Sequence, residues 1–222
     1  MKRLFLLLFV LTPLSLSFPL LLSAADENID SELFEKTTLV YSEDFDSELN
    51  LDFWEVRQSS TWKIEDGILK GSESSKEFQA KKIAEGDKAH AGFKPVIWLK
   101  QVPAEFVCTM RFRYTGDEFH PRFPLLDLGH HFHTITFGAE QTSLRVQKDK
   151  YVTKIDAPLL PLGEWVEVKV ELKKGVLLFT LNGDTHRFES EFIDMGDQRQ
   201  IDFKGLDFGT CEIDWVRVWA GE

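Results

Sequence analysis

The stretch EWVEVKVELKKGVLLFTLNGDTHRF, residues 164–188, constrains the fold more than any other part of the chain. Val166, Val168, Val170 and Leu172 alternate with Glu167, Lys169 and Glu171. A period of two puts the apolar set on one face and the charged set on the other, the pattern of a strand with one buried side. Lys174-Gly175 then turns the chain, and the apolar run VLLFTL follows. Asn182-Gly183 marks a tight hairpin, because both residues tolerate positive φ. The result is a meander of antiparallel strands. EFVCTMRFRY repeats the pattern. Phe106, Cys108, Met110, Phe112 and Tyr114 share one side; Val107, Thr109, Arg111 and Arg113 share the other.

Shorter β-like runs fill the chain from Thr38 onward: LVYSEDF, FWEV, TWKI, GILKG, VIWLK, RFPLLDL, HFHTITF, SLRVQ, YVTKI and the terminal CEIDWVRVW. About a dozen short strands with regular turns, and no segment of amphipathic helical period, predict an all-β antiparallel β-sandwich. Trp54 has the parity of Val56, and Trp62 that of Ile64, which assigns both to the core. Trp165 has the parity of Glu167 and reads as exposed. The Pro-broken APLLPLG reads as a connection.

The N-terminus is read apart from the domain. Lys2 and Arg3 precede a long apolar run, and Ser23 and Ala25 suit a cut before Asp26. Residues 1–25 are therefore expected to be a signal peptide. Pro13, Ser15, Ser17 and Pro19 interrupt the run, which disfavours a membrane anchor. Residues 26–37 read as a polar, disordered lead-in, and 38–222 as one domain. Such a leader implies a secreted or periplasmic protein with no membrane attachment in its mature form. The net charge of −11 argues against nucleic-acid or anionic-membrane partners. An oxidising compartment permits a Cys108–Cys211 bridge. However, antiparallel overlap of EFVCTMRFRY with the last strand would separate the two cysteines by several residues. Two free thiols are the expectation.

LVYSEDFDSELNLDFWEV with WKIEDGILKG resembles the opening of concanavalin A-like jelly-roll domains. The resemblance extends to secreted 3-keto-disaccharide hydrolases of the DUF1080 type. GEWVEVKVELKKGVLLFTLNG resembles a later element of that group. CEIDWVRVW resembles the terminal strand it shares with laminin-G-like domains and family 16 glycoside hydrolases. The resemblance implies a concanavalin A-like jelly roll and a carbohydrate or glycoside ligand. It implies either a hydrolase- or lyase-like activity on small, even 3-keto, glycosides, or a non-catalytic carbohydrate-binding or laminin-G-like adhesion module. A subgroup carries Lys-His, Asp-x-x-Gly-His and QKD segments, to which His90, Asp127, His130, Lys148 and Asp149 correspond here. The chain lacks the Glu-x-Asp-x-x-Glu strand of family 16 glucanases. Retaining hydrolysis needs two carboxyls about 5 Å apart, so a standard retaining glucanase is rejected.

DLGHHFHTITFG, residues 127–138, is the densest chemistry in the sequence. On a regular strand His131 and His133 share a face, where a His-x-His pair is able to hold a divalent metal. Ile135 and Phe137 continue that face as core, so two hydrogen-bonded histidines at a strand end are the plainer reading. His130 falls on the opposite face with Phe132, Thr134 and Thr136. A base near neutral pH calls for histidine, and His130 is the candidate, oriented by Asp127. Lys148 would stabilise an oxyanion, with Asp149 beside it and His90 as a second base or ligand. Solvated turns are the duller account of Lys148-Asp149 and of KKIAEGDKAHAGF. His120 and Arg122 are placed either along the same cleft or, on the duller account, in a structural Pro-flanked loop. A catalytic assignment requires His90, His130 and Lys148 to converge in one pocket.

Overall fold

A computed structural model describes residues 29–222. The expected signal peptide lies outside the described residues. Among the described residues fifteen strands occur in chain order: β1 Thr37–Glu43, β2 Trp54–Val56, β3 Ser60–Glu65, β4 Ile68–Ser74, β5 Val96–Lys100, β6 Phe106–Thr115, β7 Leu125–Leu128, β8 His133–Phe137, β9 Thr142–Val146, β10 Tyr151–Ile155, β11 Val166–Lys173, β12 Val176–Leu181, β13 Asp184–Glu189, β14 Gln200–Lys204 and β15 Thr210–Gly221. They form two antiparallel sheets. One runs β13-β12-β11-β6-β15-β4-β3, with β1 paired to the C-terminal half of β15. The other runs β10-β9-β8-β7-β14-β5-β2.

The inner faces follow the alternation in the sequence. Phe106, Cys108, Met110, Phe112 and Tyr114 are all buried, as are Val166, Val168, Val170 and Leu172. Facing them, Ile97, Phe203, Leu126, Ile135 and Leu144 form one row across five strands of the second sheet. Phe112 meets Phe203 edge-on at 5.9 Å, and Phe137 meets Phe179 at 5.9 Å, which joins the layers. Each such side chain contributes about 1.5–3 kcal/mol by leaving water. The hairpin turn at Asn182-Gly183 has positive φ at both residues. Trp54 is fully buried and donates Nε1–H to Tyr41 at 2.7 Å. Trp165 is half-buried under the guanidinium groups of Arg111 and Arg113.

Cys108 and Cys211 are free. In the β6–β15 register Cys108 faces Val218 and Cys211 faces Tyr114, so the cysteines sit at opposite ends of the ladder.

Three expectations are corrected. The lead-in is folded from residue 29. Ser31 Oγ and the N–H groups of Glu32 and Leu33 donate to Glu171 Oε2 at 2.6, 3.0 and 3.2 Å. Phe34 packs with Val107 and Trp219. Thus Glu171 is buried rather than wet, because this segment covers its end of β11. Second, the described residues include an α-helix, α1, at Lys76–Ala84, where Ser75 caps the N-terminus by accepting from Phe78 N–H. Gln79 alone is buried along it, so no apolar stripe announces it. Third, QIDFK is a strand, β14, and it lies inside the second sheet.

Candidate functional site: a cleft on the outer face of the seven-stranded sheet

Register fixes what the outer face presents. Directly paired residues of antiparallel strands point the same way. Glu55, Trp98, Asp202, Asp127, Thr134, Arg145 and Val152 therefore form one row across all seven strands. The next row carries Val96, Lys204, Leu125, Thr136 and Ser143. Two carboxylates thus sit opposite each other, with a lysine diagonal to one and two residues along the strand from the other.

Asp127 and Asp202 are completely buried, and the Lys204 side chain is 7% exposed. Lys204 Nζ donates to Asp127 Oδ2 and lies 3.1 Å from Asp202 Oδ2. Thr134 Oγ1 donates to Asp127 Oδ1, and Gln200 Nε2 donates to Asp202 Oδ1 at 2.6 Å. Every oxygen of the two buried carboxylates has a partner, as the cost of desolvating them requires.

The histidines stand over this base. Between β7 and β8 the chain turns through Gly129 at φ 75° and His131 at φ 58°, closed by Phe132 N–H donating to Gly129 O. A side chain at Gly129 would strike Gln198, with a Cβ 2.7 Å away. β8 starts only at His133, so strict alternation does not extend back to His130 and His131. Both project outward. His130 Nδ1 is 3.0 Å from Asp202 Oδ2. A carboxylate only accepts, so Nδ1 carries the hydrogen and Nε2 is left as the basic nitrogen. Trp98 packs on His130 at 4.8 Å, and Arg57 lies 4.0 Å over the Trp98 ring. His131 Nδ1 lies 3.5 Å from Asp127 Oδ2. Burial first, and then the Lys204 ammonium, hold the His131 imidazole below its usual range, so it is neutral at pH 7. His133 points into the protein, with Nε2 at 3.1 Å from the backbone of Asp194. Burial lowers its range as well.

Above these groups lies a cleft of about 500 Å³. Its walls include Arg57, His90, Lys94, Trp98, Arg122, Phe123, His130, His131, Arg145 and Lys204. His90 reaches it from a 3₁₀ turn at Lys88–His90, held by Asp87 at 2.7 Å. Of the three residues required to converge, His90 and His130 line the cleft and Lys148 does not, so the catalytic constellation built on Lys148 fails its requirement, and any proton-transfer role rests on the groups that do meet here. Lys148 and Asp149 do not line the cleft. They are exposed at positive φ in the β9–β10 turn, where Asp149 lies 3.6 Å from Arg145. The buried cation is Lys204 instead, and Asp202 rather than Asp127 orients His130. Both belong to QIDFK, whose alternation of Ile201 and Phe203 with Asp202 and Lys204 was the available signal. Arg122 is a wall residue of the cleft, whereas His120 lines a neighbouring depression.

His131 and His133, the weaker candidates for a metal pair, are split between the outside and the core, and His133 is hydrogen-bonded to the backbone of Asp194 as the plainer reading has it. Another triad takes its place: single donor atoms of Asp127, His130 and His131 all lie within 4.8 Å of one another. An ion held there would share Asp127 Oδ2 with the Lys204 ammonium. Two cations on one oxygen repel, so this donor set fits a divalent metal poorly.

Fold and cleft together define a jelly-roll β-sandwich of the concanavalin A-like class. No family profile and no curated protein sequence matches the chain. Solved structures do. An endo-β-1,3-glucanase from Pyrococcus furiosus aligns with TM-score 0.56 and 12% identity, over 89% of this chain and 99% of that one. A non-specific endo-β-1,3(4)-glucanase of glycoside hydrolase family 16 aligns with TM-score 0.52 and 12% identity, over 88% and 96%. The lumenal domain of VIP36, solved with Ca²⁺ and Man3GlcNAc, aligns with TM-score 0.52 and 9% identity, over 82% and 89%. Identities this low carry the fold and nothing finer.

Proposed function

We propose that the protein is a carbohydrate-active domain that acts on small glycosides, with His130 as the group that moves the proton. The observation that carries this reading is the Asp202–His130 pair packed against Trp98 in a cleft of about 500 Å³. The hydrogen bond from Nδ1 fixes ring and tautomer, and Nε2 is free to take a proton from a bound molecule. Trp98 and Phe123 line the cleft, each with a cation already over one ring face, Arg57 and Lys94 respectively, so polar groups of a sugar have donors beside both aromatics. The volume suits one or two sugar units rather than a long chain. The similarity of the fold to glucanases and to a sugar-bound lectin-like domain agrees with a carbohydrate ligand.

The test is a screen of the purified protein against native and 3-keto glycosides. Turnover is expected, with His130→Asn lowering kcat about 10²–10⁴-fold, the usual loss of a positioned base. Lys148→Asn, in the exposed turn, is expected to leave it unchanged. Activity that survives intact in His130→Asn overturns the assignment. Binding without turnover marks the protein as a non-catalytic sugar-binding module.

A further inference from the structure

We infer that the glycoside taken by this cleft carries a carboxylate on its sugar ring, and that the reaction is β-elimination from a uronate. The inference rests on the reading of His130 as the base. It comes from the charge that the walls present. Arg57, Lys94, Arg122, Arg145 and Lys204 line the cleft, and no Asp or Glu does, although the chain as a whole carries −11.

The partner carboxylates stand outside or beneath these cations. Glu55 pairs with Arg57, Asp207 with Lys94 at 2.9 Å, and Asp149 with Arg145 at 3.6 Å; Asp127 and Asp202 hold Lys204 from below. Arg122 has no carboxylate partner among the described residues. A guanidinium offers paired N–H donors that match a carboxylate, and Arg122 is the one free to do so. Arg57 lies over the Trp98 ring and Lys94 4.3 Å over the Phe123 ring, so a cation covers one face of each aromatic wall. That arrangement favours an acidic substituent over a purely apolar ligand face.

The same geometry disfavours hydrolysis by two carboxylic acids. Asp127 and Asp202 are buried, and each has both oxygens engaged, so neither is able to reach a glycosidic bond. Elimination needs one base and a site that neutralises a carboxylate. His130 Nε2 removes the hydrogen on C5, next to the ring carboxylate. The C–H electrons pass into the carboxylate as negative charge, which the surrounding cations stabilise. They then form the C4=C5 double bond as the C4–O bond breaks. The leaving oxygen takes the proton from the imidazolium just formed. No water, oxidant or reductant enters.

The experiment incubates the protein with uronate-containing disaccharides, their methyl esters, sulfated neutral disaccharides and unmodified neutral disaccharides. Products are read by mass and by ultraviolet absorbance of the unsaturated uronate. The expected result is cleavage of the free uronate alone, to products that have gained no water. Arg122→Gln is expected to raise KM about tenfold or more with a smaller change in kcat, the loss of one charge-assisted hydrogen bond. His130→Asn is expected to abolish the absorbance change. Products that have gained water, or equal cleavage of neutral, sulfated and esterified disaccharides, overturn the elimination and leave the carbohydrate reading standing. Binding of these sugars without cleavage overturns it in favour of a binding module. Failure to bind or cleave any glycoside overturns both.

Discussion

Lys204→Met removes the one cation between two buried carboxylates, and its cost follows from the geometry. Asp127 and Asp202 are directly paired on neighbouring strands, so their side chains start about 5 Å apart. At an effective dielectric of about 20, two unit charges at that distance repel by roughly 3 kcal/mol. Removing one partner of a buried ionic cluster costs about 3–5 kcal/mol in general, which agrees. Methionine keeps most of the volume, so the loss is electrostatic rather than a cavity. For a chain of this size 1 kcal/mol is worth about 2–4 °C, and Tm is expected to fall by roughly 6–20 °C. The assay is urea unfolding of wild type and variant at pH 7.5. Adding Asp127→Asn to Lys204→Met is expected to restore part of the loss at pH 7.5, since one charge is gone and Asn still accepts from Thr134. A deficit below about 1 kcal/mol, or no recovery in the double variant, refutes the picture of a lysine holding two buried anions apart.

Three further outcomes are expected. Gly71→Ala places a Cβ 2.5 Å from the Trp62 ring and is expected to cost about 1–3 kcal/mol by overpacking, read as a lower urea midpoint. His133 stays neutral in the folded protein because burial lowers its range, whereas the unfolded chain takes up a proton near pH 6.5. Stability that is full above that pH is therefore lost as pH falls below it, by up to about 1.4 kcal/mol per pH unit, until the folded imidazole itself titrates. His133→Asn is expected to flatten that slope in unfolding measurements between pH 6.5 and 5. Burial pushes both thiols up, so Cys108 and Cys211 are expected to resist a thiol reagent in the native protein and to react, two per chain, once it is denatured.

The fold was legible because its signals are local. Val166 to Leu172, and Phe106 to Tyr114, alternate residue by residue, and Asn182-Gly183 names its own turn. The same rule misled at His130–His133. It assumes a regular strand, and a turn with positive φ at Gly129 and His131 breaks the period just before β8. The helix α1 escaped because it buries a single glutamine and so carries no apolar stripe. Lys148-Asp149 was a candidate through its resemblance to a QKD segment, whereas its own residues read as a solvated turn, and the exposed β9–β10 turn, outside the cleft lining, is where it lies.

By itself the sequence determined the all-β class and the inner faces of the long strands, and it singled out His130 as a candidate. The cleft was decided by tertiary structure. Asp202 meets a histidine 72 residues away, and Lys204 meets a carboxylate 77 residues away. Such meetings depend on which strands become neighbours. β14 lies between β5 and β7, though no local pattern in QIDFK says so. A strand's period tells which side chains share a face. Only the packing of distant strands tells which charges on that face must answer one another once water is gone.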